Sequence, residues 1–176
     1  MMKTSKYIFT LATAMMVASV HAETSMATVL DEANISQCRS ELIAAADAVI
    51  GKNIHRLYLP PLQVGQDMPA IAGIIAYHDR HAQVRFQAQM ADGLCRINVR
   101  ESYTFSDACP TIRTEVFKRW DLLGKLDEYT WVLQKAKRVR YPQTAYLSDA
   151  IRSHTSCLVT VDSDITAADL AKAEEH

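Results

Sequence analysis

The run AQVRFQAQM, residues 82–90, constrains the fold more than any other stretch of this chain. Ala82, Val84, Phe86, Ala88 and Met90 alternate with Gln83, Arg85, Gln87 and Gln89. A period of two is the side-chain repeat of a β-strand. One dry face and one wet face belong to an antiparallel sheet covered on a single side. The neighbouring stretches fit the same sheet. AIAGIIAYH precedes it, and CRINVRESYTF follows with Cys95, Ile97 and Val99 on its apolar face. Ala91-Asp92-Gly93 supplies the tight turn between them.

Between the first two of these strands lies His78-Asp79-Arg80-His81. A metal site needs three or four convergent ligands, and these histidines are three apart in a turn. The reading that accounts for the segment is a hairpin, with Asp79 and Arg80 at the tip and His78 and His81 at the strand ends. His55 and His154 would join them as ligands only if the fold happened to bring them there.

Helices are expected on either side of this meander. Ile35, Cys38, Leu42, Ala46, Val49 and Ile50 recur at helical spacing, with Gly51 as the stop. A second helix is expected over residues 106–128, capped by Ser106 or Asp107 and opened by Pro110. Its apolar stripe is Ile112, Val116, Trp120 and Leu123, and Asp121, Asp127 and Glu128 supply solvated charge. Residues 23–29 read as a loose leader. A short edge strand is expected near Tyr58, then a rigid connector through Pro60, Pro61 and Pro69. YTWVLQ, TAYLS and SCLVTVD read as further strands, and Thr166-x-x-Asp169 as a capping-box variant opening a short C-terminal helix. No internal repeat is visible. The sum is an α+β domain: an N-terminal helix packed on an antiparallel sheet, a second helix between strands, and disulfides.

The N-terminus has the three-part layout of a secretory signal: Lys3 and Lys6, an apolar core to Val20, and small residues at Val20 and Ala22. Residues 1–22 are read as a signal peptide and 23–176 as one exported domain, periplasmic or secreted, with no membrane anchor. Losing two lysines takes the formal net charge from −1 to −3, which gives no drive toward nucleic acid.

Cys38, Cys95, Cys109 and Cys157 all lie in the mature part, so two disulfides are expected. A straight strand from Cys95 to Phe105 spans ~33 Å, and the four residues to Cys109 return at most ~14 Å. Cys95–Cys109 is therefore disfavoured. Of the two remaining patterns, Cys38–Cys109 with Cys95–Cys157 is preferred, because it joins helix start to helix start and strand opening to strand opening.

Catalytic signatures are missing from the sequence. There is no H-E-x-x-H, no G-x-S-x-G, no C-x-x-C and no glycine-rich loop. Ser153-His154-Thr155-Ser156 reads as a loop. One basic cluster stands out, Lys135, Lys137, Arg138 and Arg140, with Lys118, Arg119 and Lys125 before it. In an acidic chain it is a candidate surface for an acidic partner. The expectation is a non-catalytic protein-binding module of the inhibitor or immunity type, with a protein partner in the cell envelope and neither cofactor nor metal. The alternatives are a binder of a small envelope molecule, lipid or glycan, and a hydrolase without a readable motif.

Overall fold

The computed structural model describes residues 24–60, 70–135, 137, 139–149 and 155–171. The expected signal segment, Pro61, Pro69, Arg138, Ser153 and His154 lie outside the described residues.

The chain opens with α1 (Met26–Glu32) and α2 (Arg39–Ile50), then β1 (Ile54–Tyr58), β2 (Ala70–Ala76), β3 (His81–Ala91) and β4 (Leu94–Phe105). It continues with α3 (Cys109–Glu115), β5 (Asp121–Lys125), β6 (Thr130–Lys135), β7 (Gln143–Asp149), β8 (Cys157–Thr166) and α4 (Ala167–Ala171). The strands form one eight-stranded sheet in the order β1-β2-β3-β4-β8-β7-β6-β5. Every pairing is antiparallel. The α+β class holds in this coarse sense, with the sheet dominant.

The same order runs twice along the chain. A helix leads into a four-strand meander, and the fourth strands of the two halves, β4 and β8, pair at the centre. Arg100 lies five residues after Cys95, Asp162 five after Cys157, and these two oppose each other in the register. The halves are thus related by an approximate two-fold axis through that pair. The sequence shows no repeat because the two halves share an architecture without sharing residues.

The duplicated order explains the disulfides, which are Cys38–Cys95 and Cys109–Cys157. Each ties the start of a half's helix to the start of its own fourth strand. The preferred pattern, Cys38–Cys109 with Cys95–Cys157, is incorrect. Because β4 and β8 are antiparallel, Cys157 faces Phe105, ten residues and ~33 Å along the strand from Cys95.

Two apolar clusters share the helix-side face. One joins Met26 and Leu30 of α1 and Leu42 and Ile50 of α2 to Ile71, Phe86, Ile97 and Val99. The other joins Ile112 and Phe117 to Tyr103, Leu133, Leu147 and Val159. Burying Phe86 completely contributes about 2–3 kcal/mol. Gly73 permits close strand approach: a Cβ there would meet the Arg56 carbonyl oxygen and Leu57 Cδ2, each at 2.5 Å. At the β3–β4 turn Asp92 and Gly93 have φ of 54° and 76°, the left-handed pair of a tight hairpin turn.

Three expectations about elements fail. The leader is not loose from residue 26, because α1 buries Met26 and Leu30 completely. The first long helix starts at Arg39, since Asn34 and Cys38 both take positive φ and break the helical path through Ile35. The second helix ends at Glu115. Beyond it the chain turns at Phe117–Trp120 and becomes edge strand β5, leaving Val116 and Leu123 about half exposed, at 50% and 58%. The helical spacing of that stretch was coincidental. The expected local cap is also replaced, because the Cys109 N–H donates to Asp149 Oδ1 at 2.8 Å, forty residues away. The terminal capping box does form: Thr166 Oγ1 lies 2.7 Å from Asp169 Oδ2 and accepts from the Asp169 N–H at 3.4 Å.

Candidate functional site

The sheet has two faces of different chemistry. On the helix side, Leu57, Gly73, Val84, Glu101, Val161, Ala145 and Leu133 form one register line across seven strands. Glu101 is the one acid in it. It lies where the two apolar clusters meet, and Tyr77 packs against both of them. In the other half Ser163, six residues after Cys157 as Glu101 is six after Cys95, is buried and turned to this side, where Glu101 is half-buried. The seam between the halves is therefore polar on both sides of the axis.

Each seam residue is satisfied by a neighbour. The Tyr77 hydroxyl donates to Glu101 Oε1 at 2.7 Å. Gln143 Nε2 donates to Ser163 Oγ at 3.3 Å. Burial raises the Glu101 carboxyl above the usual carboxylate range, against the Tyr77 hydrogen bond and the positive charge of Arg80, which act the other way. Burial, with Glu101 beside it, holds Tyr77 firmly protonated. Burial also pushes Tyr103 up to about 12.

Arg80 is the closing piece, and its position differs from the sequence reading. The 77–80 segment is a hairpin tip, with the Tyr77 N–H donating to the Arg80 carbonyl at 2.8 Å. His78 and Asp79, not Asp79 and Arg80, occupy its two-residue tip and are exposed, and His78 lies beyond the end of β2. Arg80 instead folds back over the rings of Tyr77, Tyr103 and Phe105, with centroid distances of 5.0, 4.5 and 5.8 Å. Asp79 holds its Nη1 at 2.7 Å. The turn thus turns a cation toward the half-buried acid, which polar composition alone did not reveal. Glu101 and Tyr77 were also missed. Their signal was an acid on the dry face of an otherwise apolar β4 alternation.

Among the described residues no element covers the opposite face. Ile54, Arg56 and Tyr58 of β1, Ile74 of β2, Gln83 and Arg85 of β3, and Arg100 and Ser102 of β4 lie on it, as register and burial alternation show. Leu158, Thr160, Asp162 and Asp164 continue it on β8. Arg100 and Asp162 form a two-pronged pair at 2.7 and 2.8 Å at the centre. Asn98 donates to Asp164 at 2.9 Å. Large apolar side chains stand in water here: Ile54 is 81% exposed, Tyr58 55%, Ile74 53% and Leu158 48%. Two shallow depressions of about 360 and 380 Å³ cross the face. Tyr58, Ala72, Ile74, Arg85 and Arg100 line the first; His81, Ser102, Thr104 and Leu158 are among those lining the second.

The other residues singled out by sequence are scattered. Lys135 Nζ lies 5.8 Å from the Trp120 ring centroid, while Arg140 donates to the carbonyls of Asp169 and Leu170 and so ties down α4. Lys137 is exposed. Lys125 lies 4.4 Å from the Trp131 ring centroid. His55 has both ring nitrogens engaged, Nε2 accepting from the Ser25 N–H at 3.1 Å and Nδ1 facing the Asn53 carbonyl at 2.9 Å. Among the described residues no three His, Cys, Asp or Glu side chains converge as metal ligands, and no helix is long and apolar enough to cross a membrane. The two disulfides fit an oxidising, extracellular or periplasmic compartment. No family model, curated protein or solved structure matches the chain.

Proposed function

We propose that the chain is an exported, non-catalytic protein-binding module of the inhibitor or immunity type, and that the open sheet face holds its partner. The observation carrying this reading is the set of large apolar side chains exposed on a broad, hydrogen-bonded, shallowly indented face. Eight strands at ~4.8 Å spacing and ~25 Å of usable strand length give an area on the order of 800 Å². A standard protein interface covers about that much of each partner. The scaffold suits the role: eight strands in continuous pairing, one disulfide in each half and helices on the far side leave little to reorganise on binding. Small-molecule sites are usually enclosed on several sides, whereas both depressions are open troughs in a surface.

The test is photo-crosslinking in the producer's envelope. A benzoylphenylalanine at Ser102 or Thr160, on the open face, should trap one dominant protein. The same probe at Ser40, on the exposed side of α2, should not. No adduct from either face, or equal adducts from both, would remove the support for this reading.

A further inference from the structure

On the reading that the open face docks a protein, we infer that its β1–β4 half receives an acidic loop carrying an apolar or aromatic tip. The charges on this half are of one sign. Arg56, Arg85, Arg96 and Arg100 all project from it, and its open-face positions on β1 to β4 include no acid. Asp162 neutralises Arg100 from β8. Among the described residues, Arg56, Arg85 and Arg96 have no ion-pair partner. This asymmetry sits in a chain whose formal net charge is −1.

The placement of Arg85 carries the argument furthest. Arg85 and Arg100 are directly opposite in the β3–β4 register. Like charges facing each other across strands oppose folding, and a single Asp162 offsets one of the two. Edge protection, the usual structural reason for basic residues on strands, does not apply, because β3 and β4 are interior strands. Arg85 also borders the depression beside Tyr58 and Ile74. A carboxylate entering there meets a planar cation able to bind it with two hydrogen bonds. The neighbouring tyrosine and isoleucine offer an apolar wall to the residue beside it.

The test uses the full mature, oxidised chain and a phage-displayed library of random peptides as the probe. Selected peptides should carry Asp or Glu next to an aromatic or branched apolar residue. Their affinity should fall at least about tenfold for Arg85→Glu, less for Arg85→Gln, and further when Arg56→Glu is added. The control Lys118→Glu, outside the open face, should bind as the parent does. Affinity should also fall between about 0.05 and about 0.5 M salt. Unchanged melting temperatures would show that the variants are folded. Peptides without acidic enrichment, peptides indifferent to Arg85→Glu, or no selected peptides at all would overturn the inference. Those outcomes are separable from failure of the docking reading, which the Ser102 and Thr160 crosslinks decide independently.

Discussion

Glu101 sets the chemistry of the molecule at the scale of single residues. Its carboxyl is raised by burial, so the folded state prefers the protonated form more than the unfolded chain does. That preference contributes stability at pH values below the unfolded carboxyl range. It is lost as pH rises through the raised folded value. Glu101→Gln keeps an acceptor for Tyr77 and removes the half-buried charge. It should raise the melting temperature by a few degrees at pH 7, and the gain should shrink as the pH is lowered toward about 4, the range of an unperturbed glutamate. Thermal melts across that range check it. A second residue-scale expectation concerns Gly73, where an added methyl would strike the backbone of β1. Gly73→Ala should cost about 1–3 kcal/mol in denaturant unfolding, the usual range for overpacking.

Among the elements, each half is closed by one staple between helix and fourth strand. The bridges span 57 and 48 residues. Loop-closure entropy places the contribution of each at about 4 kcal/mol, with about 2–4 kcal/mol typical of measured cases. Replacing Cys109 and Cys157 together by alanine should therefore lower unfolding free energy by about that amount. Proteolysis without reduction, followed by mass spectrometry, should yield a Cys38–Cys95 peptide pair and no Cys95–Cys157 pair. The pairing was within reach of the sequence, because two connectivities survived the distance argument. Choosing between them required knowing that β4 and β8 run antiparallel, a long-range fact. The short α3 teaches the same lesson. Its N-terminus is held by Asp149 from β7, and the residues after it become an edge strand because β6 offers a pairing partner.

For the whole molecule, the two faces differ: one carries the core and its polar seam, and the other is the face proposed to bind. Charge reversals on the open face should then leave stability nearly unchanged while altering recognition, with one exception. Arg100→Ala would strip Asp162, whose side chain is only 20% exposed, of its two-pronged partner. It should cost about 1 kcal/mol, while Arg85→Ala should cost little or stabilise slightly by removing the repulsion across β3 and β4. Comparing the two variants by chemical denaturation separates the structural arginine from the one assigned to binding.

Local patterns in the chain were enough to determine the strand alternation at residues 82–90, the presence of a hairpin over residues 77–80, the turn at Asp92-Gly93, the cap at Thr166 and the involvement of all four cysteines. Each depends on neighbours within a few positions, where periodicity and backbone preference act directly. Tertiary structure alone decided the duplicated order, the disulfide partners, the burial of Met26, the end of the second helix and the meeting of Tyr77, Arg80 and Glu101. Each of these depends on residues brought together from separate elements, and a side chain's environment is fixed by which strand comes to lie beside it.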